Sequence, residues 1–208
     1  MIKNILRLLI PKRLINLLYT FKPSITPVNT YLLKREDPII NLKTIDKKYI
    51  IRELNVSDTE QIKQFYYNYK NILPRLETNA WVGLAVFDTT TGSIAYISWI
   101  IKETTDFISE FDIKLSKNQF WVRHGYCHPQ HRHQGLHTRM EQERINYCIN
   151  NGANEIYIQI GSKNIKGHES VTNNGFQFIK KNYTIRIPAL SVYRDFFSFL
   201  KSPFKRVI

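Results

Sequence analysis

The chain has 208 residues, of which 43% are apolar and 13% aromatic, enough for one globular domain with a substantial core. Its two cysteines, Cys127 and Cys148, form no Cys-x-x-Cys pair. That excludes a disulfide framework and a cysteine-rich metal site, and points to a reducing cytoplasm. The net charge of +13 sits at the ends: residues 1–48 hold 10 Lys/Arg against 3 Asp/Glu, residues 178–208 hold 7 against 1, and residues 49–177 hold 13 of each. A nucleic-acid-binding body carries its excess charge on the folded part, so no nucleic-acid partner is expected.

Residues 1–48 read as a basic amphipathic extension and linker. Ile2, Ile5, Leu6, Leu9 and Ile10 recur at helical spacing, with Lys3 and Arg7 off that stripe. Charges and Pro11 interrupt the apolar run, so it is neither a membrane span nor a signal peptide. Two readings stand for this stretch and for the aromatic tail around Phe196, Phe197 and Phe199. Residues 1–21 and 191–208 either pack on protein, a homodimer partner included, or lie on the inner face of an anionic membrane. Residues 22–48, with Pro23, Pro27 and Pro38, are expected to be linker.

The central region, residues 49–188, alternates strand and helix patterns. Tyr49 to Leu54 is a predicted strand. Ser57 and Glu60 have capping-box spacing before a helix to about Asn71, with Ile62, Phe65, Tyr66 and Tyr69 on one face. Trp81–Asp88 and Ser93–Lys102 are predicted strands joined by a turn at Thr89–Gly92. Thr104 to Asn118 has no clear period and is expected to border an acceptor pocket. Phe120–Cys127 is a strand, Leu136–Asn150 a helix, Glu155–Ile160 a strand, Lys166–Asn174 a short helix closed by Gly175, and Phe178–Ile187 one or two closing strands. Residues 189–208 form the tail.

The turn Pro129-Gln130-His131-Arg132-His133-Gln134-Gly135-Leu136 carries the most chemistry. A strand, a polar turn with one glycine and a helix start present free backbone N–H groups to an anion. His128, His131 and His133 nearby are read as part of this basic turn, not as metal ligands. Further on, Asn164 is followed by Gly167, Gly175 and Phe176 at offsets of 3, 11 and 12. Together the two patterns resemble the GCN5-related N-acetyltransferase family over about Tyr49 to Ile187.

The family pattern is Arg or Gln, two residues, Gly, one residue, then Gly or Ala. Arg132 and Gly135 match; His137 stands where the last small residue belongs. The resemblance implies an α/β fold. Its sheet is mixed and mostly antiparallel, with helices on both faces and a V-shaped splay between two central strands. It also implies acetyl-CoA as co-substrate. Arg132, His133, Gly135, His137 and Thr138 would surround its pyrophosphate, Asn164 would touch the pantetheine, and the N–H of Cys127 would polarise the thioester carbonyl. The activity implied is direct transfer of an acetyl group to a small primary amine; the basic, aromatic-bearing ends, set against an anionic membrane, point to an amino sugar of surface polysaccharide as the acceptor. The alternative is a non-catalytic CoA-binding or membrane-associated scaffold.

Three residues often used by such enzymes are absent, with Val171, Gln159 and Trp121 in their places. The remaining base and acid candidates are His124 first, then Ser170 as proton relay, with His128, His168, Glu110 and Asp112 behind them. Cys127 is also a candidate nucleophile.

Overall fold

A computed structural model describes residues 24–66, 73–102, 115–187 and 192–195. These residues build one eight-stranded sheet: β1 (Ser24–Leu33), β2 (Tyr49–Glu53), β3 (Trp81–Asp88), β4 (Ser93–Ile101), β5 (Gln119–Cys127), β6 (Glu155–Gly161), β7 (Gln177–Ile187) and β8 (Val192–Asp195). The spatial order is β2-β3-β4-β5-β6-β1-β7-β8. All neighbours pair antiparallel except β5 and β6, which are parallel.

Every residue of β3 is buried, as expected of a central strand covered on both faces. On one face Val82, Leu84 and Val86 pack with Tyr96 and Ile100 beneath α2 (Leu136–Asn150) and α3 (Ile165–Asn173). On the other, Trp81, Ala85 and Phe87 pack with Ile97, Trp99 and Ile101 beneath α1 (Thr59–Phe65), whose Ile62 is fully buried. The stripe Leu136, Met140, Glu141, Arg144, Ile145 and Cys148 is the buried face of α2 and follows the 3.6-residue period.

Residues 24–33 are not linker. They form β1, inserted between β6 and β7, with Tyr31 and Leu33 in the core. Pro27 pairs with β7, and on its other side its carbonyl accepts from the Ser162 N–H just past β6, so its missing N–H falls at the end of that ladder. The chain then crosses α2 in extended form. Asn146 brackets the backbone of Ile39, Gln142 accepts from the Lys43 N–H, and Arg139 donates to the Lys43 carbonyl. These three residues stand about one helical turn apart, so residues 39–43 are laced down the helix.

The expected tail likewise contributes β8, paired with β7. The start of the first helix also differs. Asn55 and Asp58, not Ser57 and Glu60, form the capping box: the Asn55 side chain accepts from the Ser57 N–H and Asp58 accepts from the Asn55 N–H. Glu60 instead pairs with Lys63. Asp58 is held further by a two-pronged bond from Arg52 at 2.7 and 2.8 Å, which lowers its pKa below the usual carboxylate range. No described helix is long and apolar enough to cross a membrane. Residues 1–23, 196–208, Tyr69, Glu110 and Asp112 lie outside the described residues.

Candidate functional site

The sheet opens where β5 and β6 part. Their pairing runs from Gln119 opposite Glu155 to Val122 opposite Ile158 and stops. On the other side of β5, Arg123 lies opposite Trp99 and Tyr126 opposite Ile97, so three steps of β5 span two of β4. That is a bulge at His124–Gly125. It turns the strand edge away from β6, and the V-shaped notch begins there. His128 N–H donates to the Ala95 carbonyl at 2.9 Å. Successive N–H groups of a strand face opposite edges, so the N–H of Cys127 points away from β4, into the notch. The Cys127 thiol is half-buried and its pKa is raised by that burial, which suits neither a ready thiolate nor a nucleophile. His124 stands in the bulge by its backbone; its side chain lies outside the described atoms.

Glycine at 125 has a steric cause. A Cβ there would collide with the hydroxyl of Tyr96 from β4, which is 1% exposed. The same hydroxyl lies 2.7 Å from Nδ1 of His137 on the first turn of α2. The surroundings of the His137 ring lower its pKa, with burial the main cause, the Glu141 charge opposing and the Arg144 charge adding. His137 therefore does not leave the turn open as a small residue would; it closes over β4.

The turn before α2 holds two left-handed residues, His133 (φ 64°) and Gly135 (φ 76°). Such a twist gathers consecutive N–H groups on one side, and helix geometry leaves those of Leu136, His137 and Thr138 without partners inside the helix. Thr138 is exposed beside them, and exposed Arg132 donates through Nε to the Cys127 carbonyl at 3.4 Å. Tyr49 of β2 anchors the turn: its hydroxyl donates to Gln134 Oε1 at 2.7 Å and meets His131 Nδ1 at 2.9 Å. Burial lowers the His131 pKa. Lys43 runs alongside, its Cε 3.6 Å from where a Gly135 Cβ would sit. Sequence reasoning missed Lys43 because residues 22–48 read as linker.

At the far end of β6, Asn164 caps α3 by accepting from the Gly167 N–H at 3.0 Å. A cleft of about 460 Å³ opens beside it, lined by Ile25, Thr26, Pro27, Gly161, Ser162 and Lys163. His168 bridges Tyr31 of β1 (2.8 Å from Nδ1) and the Ser162 carbonyl (3.3 Å from Nε2). Both ring nitrogens are engaged, so it is a structural tie and not a free base. Ser170 donates to the buried Glu141 carboxylate at the contact of α3 with α2, where Asn174 also donates to it. Gln159 donates to Thr30 Oγ1 and Trp121 stacks on Tyr157.

The opposite sheet face carries rings next to the notch. Tyr126 meets Phe65 edge-on at 5.5 Å and Tyr66 at 6.3 Å, and His128 lies 6.2 Å from Phe65. Tyr126 is 41% exposed. Burial raises the Tyr66 pKa to about 12, and His128 Nδ1 is buried without a hydrogen-bond partner. Among the described residues, no three of His, Cys, Asp and Glu come together as metal ligands.

No family model and no curated protein matches this chain. Solved structures do. A tandem GNAT protein from the clavulanic acid biosynthesis pathway superposes with a TM-score of 0.60 at 11% identity, over 76% of this chain and 52% of its own. The GCN5-related N-acetyltransferase from Sphaerobacter thermophilus superposes with a TM-score of 0.58 at 11% identity, over 84% and 55%. A fungal region described as a GCN5-related glucosamine N-acetyltransferase, within a multi-domain β-N-acetylglucosaminidase, does so with a TM-score of 0.57 at 10% identity, over 81% and 22%. The chain thus spans about half the length, or less, of these structures. At such identities the likeness is one of backbone, and with the bulged, splayed sheet it establishes that the chain has the GCN5-related N-acetyltransferase fold.

Proposed function

We propose that the protein is an acyl-CoA-dependent N-acyltransferase that moves an acetyl group from acetyl-CoA to a primary amine by direct attack. The observation that carries this reading is the left-handed His133–Gly135 turn at the start of α2, following directly on the β5 end whose Cys127 N–H faces away from β4. The turn and the helix N-terminus suit a pyrophosphate. A strand edge freed from its neighbour suits the amides of a pantetheine arm, with Asn164 donating from across the notch. The N–H of Cys127 is then the donor to the thioester oxygen.

The acceptor side of the notch is the face that carries Tyr126, Phe65, Tyr66 and His128. Flat aromatic surface suits the C–H face of a sugar ring. This agrees with an amino sugar, the substrate class of the fungal neighbour. The basic ends, residues 1–21 and 191–208, would hold such an enzyme at an anionic surface, in keeping with a cytoplasmic enzyme acting at the membrane's inner face.

The test is thiol release from acetyl-CoA with a panel of amines, glucosamine first. Turnover that saturates with one acceptor supports the reading. Acetyl-CoA binding without turnover on any amine would favour a scaffold that only binds CoA.

A further inference from the structure

We propose that the cleft beside Asn164 seats an anionic group, a phosphate or a carboxylate, carried by the amine acceptor, and that Gly161 keeps the way from this cleft to the notch clear. This rests on the acyl-transfer reading above and narrows its acceptor to amines that bear a negative charge.

The cleft lies across β6 from the notch. β6 ends at Gly161 and the chain turns off into α3, while β1 runs on beside β7 alone: its register with β6 starts at Val28, and with β7 at Ser24. The Pro27 carbonyl accepts from the Ser162 N–H, so the backbone of Pro27 faces the β6 side. Backbone groups alternate along a strand. The N–H and C=O of Ile25 therefore face the same side, beyond the end of β6, where no described strand takes them up. The cleft of about 460 Å³ is the space left there. Ile25, 60% exposed, and Pro27 give it an apolar wall. Thr26 and Ser162 add hydroxyl groups, and the exposed Lys163 adds an ammonium. No acidic residue lines it. A cation beside a free backbone N–H and two hydroxyls is a donor set for an oxyanion.

Gly161 joins this cleft to the notch. It is the last residue of β6 and lies past Ile158, where pairing with β5 stops, so it stands on the wall of the notch. Alternation along β6 puts it on the sheet face of Tyr157, which packs with Phe65 and Tyr66 in the core beneath α1. That is the face assigned above to the acceptor. The other glycines of the chain have a left-handed φ or a neighbour that a Cβ would strike. Gly161 has neither: its φ is not left-handed, and open space surrounds the place of its Cβ. The fold has room for a side chain here, and a β-branched one is the better strand former. What glycine supplies is a gap on this face, with Tyr126 and Phe65 at one end and Lys163 at the other. An amine seated in the notch can pass its charged substituent over Gly161 to Lys163.

The experiment reads amine binding to protein saturated with CoA, by calorimetry, so it stands apart from turnover. The probes are glucosamine, glucosamine 1-phosphate, glucosamine 6-phosphate and 2-amino-2-deoxyglucuronate. They share the ring and the amine, and the phosphates and the carboxylate separate the two sources of charge. At least one anionic amine is expected to bind about tenfold more tightly than glucosamine, and Lys163→Gln to remove that advantage while leaving glucosamine within about twofold. Gly161→Val is expected to unfold at the wild-type temperature or above, and yet to weaken the favoured amine about tenfold by filling the gap. Anionic amines that bind no better than glucosamine overturn the proposal. So does an advantage that survives Lys163→Gln, or a Gly161→Val protein that binds as wild type does. Failure of wild type to bind CoA at all would instead sink the acyl-transfer reading.

Discussion

The carboxamide of Asn164 occupies the space that a side chain at residue 167 would need. An added Cβ at Gly167 would meet Asn164 Nδ2 and Cγ and, at 3.0 Å, Cγ2 of Ile160. The small residue three positions after the asparagine thus has a steric reason: it lets the Asn164 side chain fold back to cap α3 while keeping its N–H₂ beside the cleft.

Gly167→Ala is therefore expected to destabilise the fold by about 1–2 kcal/mol, although alanine is the better helix former by about 1 kcal/mol. Urea unfolding checks this. Affinity for acetyl-CoA should fall with it, because the displaced carboxamide is the one assigned to the pantetheine.

Tyr31 ties the inserted strand to the rest of the molecule. It is 7% exposed, stands edge-on to Phe178 at 5.8 Å, and bonds to His168. Tyr31→Ala should cost about 3–5 kcal/mol by cavity formation, and Tyr31→Phe about 1 kcal/mol for the lost hydrogen bond. Equal, small effects for both would mean that β1 is not part of the cooperative fold.

Asp58 gives the stability a defined acid limb. Its pKa in the folded protein is lowered, chiefly by the Arg52 hydrogen bonds. A lowered carboxylate contributes stability that is fully present above its unfolded pKa, about 3.9, and is lost as pH falls through the folded value. Thermal unfolding should thus steepen below about pH 4 in wild type, and Asp58→Asn should be less stable at neutral pH but lose less on acidification. Parallel curves would contradict this.

Much of the fold was legible because it is local. The helix Leu136–Asn150 has the observed limits, since an apolar stripe and a Gly152 with φ 82° mark it. The Arg132–Gly135 turn was legible because a glycine in a polar stretch between a strand pattern and a helix pattern marks a turn; the left-handed His133 (φ 64°) was not. β1 was not, because three prolines spread over residues 23–38 mimic a linker, and only the distant β6 and β7 make the segment a strand. The choice between two overlapping capping boxes was likewise decided by tertiary structure: Asp58 gains Arg52 from β2, whereas Glu60 pairs with Lys63 of its own helix. The Tyr96–His137 contact joins residues 41 apart and leaves no periodic trace in sequence; its one sign was a histidine where the motif expects a small residue.

The most direct test of the central claim is a calorimetric titration of acetyl-CoA into the intact protein, beside a Gly135→Trp variant whose bulk and left-handed requirement disturb the turn. Micromolar binding by wild type, lost in a variant that still unfolds cooperatively, is the predicted result. No heat of binding with the intact protein would contradict the account.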